Sequence, residues 1–248
     1  MIEEEKTPFW QKAGKFLLRW SLSKHFAHIY LRPQNYNIPY NKPVMLCINH
    51  SCRWDVPLSL FLSESILQLD SYLMAAPQVI QKYPLMCRFG CFEADSSNPI
   101  ETTRTLKYAS TLISGKSDRC LIMFPQGRYK RSYQRPLDFR PGFAQIARIT
   151  RPVIILPVAF YYEYFIERIP EAFVSIGPPV FVESQITTNK LVEDVEVAVT
   201  RELDALQKDI TNNQLDEFIA ILEEQKNMLI KLWHRFDSEW IERAKRTL

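Results

Sequence analysis

The residues best suited to chemistry in this chain are few, and the tightest group of them is Asn49-His50-Ser51-Cys52-Arg53-Trp54-Asp55. A histidine can take a proton from an alcohol near neutral pH, while a neighbouring carboxylate fixes its tautomer and stabilises the charge that develops. General-base help of this kind is worth roughly a hundred- to ten-thousand-fold in rate. On a regular helix two residues five apart point about 140° away from each other, so His50 and Asp55 can meet only across a turn. The β-branched and apolar run Val44 to Ile48 predicts a strand, and Asp55-Val56-Pro57 predicts a helix start. His50 then lies at the carboxyl end of a strand, where α/β sheets place their ligands. By spacing alone, a histidine followed five residues later by an aspartate occurs by chance in many proteins.

Other chemistries find less support. The remaining histidines are His25, His28 and His234, and no carboxylate or cysteine accompanies His25 and His28 at metal-ligand spacing. The five cysteines, Cys47, Cys52, Cys87, Cys91 and Cys120, contain no CxxC pair, so reduced thiols in a cytosolic compartment are expected, and no metal. No G-x-S-x-G elbow marks a serine hydrolase. A net charge of +3, with acids and bases interleaved, gives no reason to expect nucleic acid as a partner. The acidic start Met1-Ile2-Glu3-Glu4-Glu5 is unlike a signal peptide, and no apolar stretch reaches the length needed to span a bilayer.

The elements that must position the pair fall into three zones: 1–35, an interfacial amphipathic helix; 36–185, the α/β domain; and 186–248, a helical extension. In the first, a helical projection gathers Phe9, Trp10, Ala13, Phe16, Leu17 and Trp20 into one arc and Lys12, Lys15 and Arg19 into another, with Leu18 as the exception. That composition suits a helix in the headgroup layer of a membrane, and equally a helix packed on its own domain. In the second, apolar runs predict strands over Val44–Ile48, Tyr72–Ala75, Cys120–Phe124, Val153–Ala159 and Phe173–Val182. A helix between them is bracketed by Asn98, Pro99, Glu101 and Gly115. Such alternation predicts a layered α/β domain with a mostly buried sheet flanked by helices. In the third, Leu215, Ile219, Leu222, Leu229, Trp233, Phe236 and Trp240 predict one or two amphipathic helices.

Four blocks then follow one another: Asn49-His50 to Asp55, Gly90-Cys91-Phe92, Phe124-Pro125-Gln126-Gly127, with Phe139-Arg140-Pro141-Gly142 after it, and Leu156-Pro157-Val158. In this order they resemble the glycerolipid acyltransferases, the family of lysophosphatidic acid and glycerol-phosphate acyltransferases, over about Pro43 to Glu183. The resemblance implies that His50 is a general base oriented by Asp55. It implies transfer of a fatty acyl group to a hydroxyl directly from acyl-CoA or acyl carrier protein, which is a co-substrate; no other cofactor is implied. It also implies substrate contacts from Asn49, Arg53, Gln126, Gly127, Arg128, Arg140 and Gly142, with the backbone around Gly127 as a candidate oxyanion site.

Two blocks depart from the family pattern. Phe-Pro-Glu-Gly-Thr-Arg is here Phe124-Pro125-Gln126-Gly127-Arg128-Tyr129, and Ser96 stands where the second block often has an arginine. Those arginines are associated in the family with the acceptor's phosphate. Either the acceptor is a lysophospholipid and phosphate binding has moved to Arg128, Lys130, Arg131 or Arg140, or the acceptor has no phosphate, for instance a neutral glycosylated or terpenoid alcohol. A membrane-associated lipid-binding protein that kept the fold without turnover is the alternative reading. The expected location is the cytoplasmic face of a membrane, peripherally, with membrane lipids as partners and the oligomeric state open.

Overall fold

The computed structural model describes residues 2–34, 38–39, 41–95 and 98–223. In chain order its elements are α1 (Pro8–His25), β1 (His28–Leu31), β2 (Val44–Ile48), α2 (Asp55–Phe61), β3 (Asp70–Ala75), α3 (Pro77–Lys82), β4 (Cys91–Glu93) and α4 (Pro99–Ile113). Then come β5 (Arg119–Met123), α5 (Gly142–Thr150), β6 (Val153–Glu163), β7 (Glu171–Ile176), β8 (Val180–Val182), α6 (Thr188–Thr211) and β9 (Ile219–Glu223). A π-helical turn, Leu62–Ile66, prolongs α2, and a 3-10 helix, Pro84–Phe89, precedes β4.

All nine strands join one sheet in the order β4-β3-β5-β2-β6-β7-β1-β9, with β8 paired to the start of β6. From β4 to β6 the pairing is parallel, so the carboxyl ends of β2, β3, β5 and β6 share one edge. The central strands read as apolar throughout because both faces are covered. Val44, Leu46 and Ile48 face a core shared with Leu22 of α1 and Leu58 of α2. Met45 and Cys47 face the opposite core, formed with α4, α5 and α6. The layered α/β class is thus the fold of the molecule.

The helix between β4 and β5 forms as its caps dictate. The Asn98 side chain accepts from the Glu101 amide, Pro99 opens the helix, and Gly115 lies just beyond its end at φ +69°. The run Phe173–Val182 is not one strand. Gly177-Pro178-Pro179 separates β7 from β8, since proline cannot donate to a ladder. The expected helical tail is also corrected in part. Thr188–Thr211 is helical, but Ile219 and Leu222 lie in β9, antiparallel to β1. Ile219-Ala220-Ile221-Leu222 is a short apolar run, which periodicity cannot separate from a helix when an open strand edge is available. Leu229, Trp233, His234, Phe236 and Trp240 lie outside the described residues, as does Ser96.

In α1 the apolar arc divides. Phe9 and Phe16 are 70% and 71% exposed, and Leu17 and Trp20 are exposed as well. Trp10 instead meets Phe89 edge-on. The buried side is Gly14, Leu18 and Leu22, a stripe at steps of four that includes the residue the arc left out. Gly14 is needed there because a β-carbon would come within 2.8 Å of the Phe89 ring.

Ahead of α1, Lys6 is drawn into a polar cluster at the other end of the sheet. Its ammonium donates to Asp70 at 2.6 Å, to the Ser71 carbonyl at 2.7 Å and to Glu64 at 3.2 Å. Burial pushes the Asp70 carboxyl up, but Lys6, Tyr72 and Arg119 together outweigh it and hold the group below its ordinary value. Asp70 therefore contributes stability that is complete above pH about 4 and lost as the pH falls through its depressed value. Removing Lys6 leaves Glu64 buried without its cation. Lys6→Ala should cost about 3 kcal/mol in urea unfolding and flatten the acid limb of the stability curve.

Candidate active site

β2 delivers the chain to its carboxyl edge at Ile48, and two buried amide side chains hold the turn that follows. Asn49 clamps β6: its Nδ2 donates to the Phe160 carbonyl at 3.0 Å and its Oδ1 accepts from the Phe160 amide at 2.7 Å. Gln126, at the end of β5, accepts the His50 amide through Oε1 at 2.5 Å. Both side chains are buried and spent on backbone groups, so neither is the substrate contact expected of it. A glutamate at 126 could accept the same bond. Glutamine does so without burying a charge, which gives the departure in the third block a physical basis.

The turn brings His50 and Asp55 together. His50 Nδ1 lies 2.8 Å from Asp55 Oδ2, and that oxygen also accepts from the amides of Ser51 at 2.6 Å and Cys52 at 2.8 Å. Asp55 is wholly buried at the start of α2, where exposed amides favour an anion. With Nδ1–H directed at the carboxylate, Nε2 is left with its lone pair for a substrate proton. The imidazole is stacked between Phe124, with ring centroids 4.3 Å apart, and Tyr129, at 4.2 Å. The Lys130 amide donates to the His50 carbonyl at 2.8 Å and ties the loop after β5 to the same turn.

His50 lines a cavity of about 460 Å³. Its lining includes Arg128, Tyr129 and Arg140 together with the apolar Leu73, Met74, Val79, Met86, Leu106 and Met123. A mixed lining of this kind suits a hydrocarbon chain with a reactive head.

Of the remaining sequence-derived residues, Gly127, Arg128, Arg140 and Gly142 line this cavity, whereas exposed Arg53 does not. Gly127 adopts φ +62°, and a β-carbon there would press within 3.2 Å of the Arg140 side chain. Its own amide donates to the Phe124 carbonyl, so it is not free to meet an oxyanion. Arg128 and Lys130 both bind the Asp138 carboxylate, Arg128 at 3.2 Å. Arg140 has no side-chain partner among the described residues, and it lies against Gly127 at the cavity rim. Gly142 is the first residue of α5, and a β-carbon there would make only ordinary contact with a Leu106 methyl at 4.0 Å.

Three neighbours of the pair were missed in the sequence. Tyr129 sits within a block whose expected arginine it replaces, Cys52 lies between His50 and Asp55, and Tyr162 comes four residues after the last block. The Tyr162 hydroxyl donates to Asp55 Oδ1 at 2.7 Å. Alternation along β6 places it on the side of Val158 and Phe160, a signal that would have emerged had the strand been extended past Ala159. Burial and the Asp55 charge push the Cys52 thiol up to about 11, so it stays protonated and weakly nucleophilic. No cluster of histidine, cysteine and carboxylate residues able to hold a metal occurs among the described residues; His28 binds Glu171, and His25 stacks on Trp54.

Comparison with known proteins agrees with this arrangement. No curated protein matches the chain. The fold is similar to the crystal structure of the 1-acyl-sn-glycerophosphate (LPA) acyltransferase PlsC from Thermotoga maritima, with a TM-score of 0.56 and 20% identity over 80% of this chain and 78% of that one. The family model named Acyltransferase matches residues 31–161, more than half of the 248 residues and the stretch that holds both His50 and Asp55. The chain belongs to the acyltransferase family.

Proposed function

We propose that this protein is an O-acyltransferase working at a membrane surface, moving a fatty acyl group from acyl-CoA or acyl carrier protein to a hydroxyl of a lipid-like acceptor. The observation that carries the reading is the His50–Asp55 pair at 2.8 Å, with His50 on the wall of a cavity also lined by Leu73, Met74, Val79, Met86 and Leu106. His50 Nε2 takes the acceptor's hydroxyl proton as the oxygen attacks the thioester carbonyl. The tetrahedral intermediate collapses with cleavage of the C–S bond, and the imidazolium returns the proton to the departing thiolate. Asp55 stabilises the imidazolium and needs no proton of its own.

Arg140 supports an anionic group on one substrate. A guanidinium without a side-chain partner among the described residues, at a cavity rim, is ready for a phosphate, whether the acceptor's or the one in the donor's pantetheine arm. Membrane contact is supported by the exposed Phe9, Phe16, Leu17 and Trp20 beside Lys12, Lys15 and Arg19. A second exposed cluster, Tyr164-Phe165-Ile166, follows β6 at the catalytic edge. Its loop reaches the end of α1 through the bond from the Ala27 amide to the Pro170 carbonyl, 3.0 Å. No helix among the described residues is long and apolar enough to cross a membrane, which suits a peripheral attachment.

Thiol release from palmitoyl-CoA and palmitoyl acyl carrier protein, with lipid extract as acceptor and mass spectrometry of the product, tests the reading. His50→Ala should lower turnover at least a hundredfold while the protein stays folded; acylated product formed equally by both proteins would refute the assignment. Arg140→Gln should raise KM about tenfold for whichever substrate carries the bound phosphate and leave the other KM unchanged. Deleting residues 1–31 is a poor test of membrane contact, because Lys6, Leu22 and β1 would go too. Phe16→Glu with Trp20→Glu should instead cut sedimentation with anionic vesicles about tenfold at unchanged melting temperature, and equal sedimentation would remove α1 as the contact.

A further inference from the structure

Tyr162 touches the catalytic carboxylate yet has no part in the steps above, and the family match stops one residue short of it. The two oxygens of Asp55 are used differently. Oδ2 takes His50 and two backbone amides, while Oδ1 takes the Tyr162 hydroxyl at 2.7 Å. The other groups near Oδ1 are long and weak, the Ser51 hydroxyl at 3.4 Å and the Cys52 thiol at 3.8 Å. Tyr162 is thus the one short side-chain donor to that oxygen. It can only donate, because burial and the charge of Asp55 push its phenol well above the ordinary value. Its ring lies against Phe26, with centroids 5.8 Å apart, and Phe26 in turn meets Trp54 edge-on at 5.4 Å. Phe26 caps the carboxyl end of α1, so the tyrosine is braced by the first helix of the chain.

We propose that Tyr162 is a positioning residue, fixing the orientation of Asp55 through Oδ1 and drawing carboxylate charge away from the His50 side. A donor on one oxygen of a carboxylate stabilises its charged form and weakens its pull on a cation at the other. Without the hydroxyl, the charge of Asp55 acts more fully on the imidazolium, and His50 should titrate at higher pH. The groups that also bear on His50 are Cys52, Tyr129 and Arg53 around the turn and Arg128, Arg140 and Asp95 on the cavity wall. Replacing Tyr162 with phenylalanine retains the ring against Phe26 and touches only one of these groups, Cys52, whose thiol also meets the Tyr162 hydroxyl and stays protonated.

The inference rests on the acyltransferase reading for its effect on turnover, but the hydrogen-bond chain can be read in the resting protein. NMR titration of the histidine rings, with His50 assigned by its loss in His50→Gln, should show His50 moving up by about half to one pH unit in Tyr162→Phe. The acid limb of the thiol-release rate should move with it, and kcat should fall about tenfold with both KM values retained. An unmoved His50 titration in a folded Tyr162→Phe would overturn the proposal, even if the melting temperature fell, because loss of packing alone does not shift that titration. A moved titration beside an intact chain that releases no thiol would count against the transferase reading and leave the hydrogen-bond chain standing.

Discussion

A carboxylate with no exposed surface is tolerable only if every part of its charge is met, and Asp55 organises the molecule around that requirement. Two amides of its own turn, an imidazole and a phenol surround it, and they come from two separate segments, the turn after β2 and the strand β6. The turn after β2 must close tightly enough for Ser51 and Cys52 to point inward. β6 must run long enough to present Tyr162. The sheet must set β2 beside β6 in parallel, since only then do both carboxyl ends reach the same point. The His50–Asp55 pair is therefore a product of strand order as much as of local sequence.

The same logic explains the side chains that first looked like substrate contacts. Asn49 and Gln126 are polar, sit in the first and third sequence blocks and adjoin the histidine, yet each is consumed in holding backbone. Asn49 spans β2 and β6, and Gln126 spans the loops after β5 and β2. They act as struts between neighbouring strands at the edge where regular ladder bonds end. The groups on the cavity wall that backbone bonds leave free include His50 Nε2 and the Arg140 guanidinium.

How far the sequence could be read follows from which interactions were local. The caps of α4 and the apolar run of β2 lie within a few residues of the features they specify, so both emerged directly. His50 and Asp55 could be paired in advance because the turn between them is short and the family's block order is retained. Tyr162 belongs to another strand, and nothing within its own neighbourhood says that it faces Asp55. β9 was misread for a related reason: Ile219 to Leu222 becomes a strand because β1 offers an unpaired edge, which is a tertiary fact. In α1 the mismatch was more subtle. The arc of Phe9, Phe16, Leu17 and Trp20 was visible, but the buried stripe of Gly14, Leu18 and Leu22 depends on the Phe89 ring that Gly14 admits.

The position of β1 has a consequence for how the chain is made. This strand is the first of the described strands in sequence, yet its two partners, β7 and β9, are among the last synthesised. Ile29 must wait for Ala172 on one side and Leu222 on the other. Pairings this distant in sequence form slowly. The helix ahead of β1 meets no such delay, because it packs on α2 and on the 3-10 helix, both made early. α1 can therefore be seated, with Phe9 and Phe16 facing outward as they do in the finished fold, well before the strand that follows it is paired. β1 then waits as an open edge beside a helix already in place, and the closing of β9 over it completes the sheet.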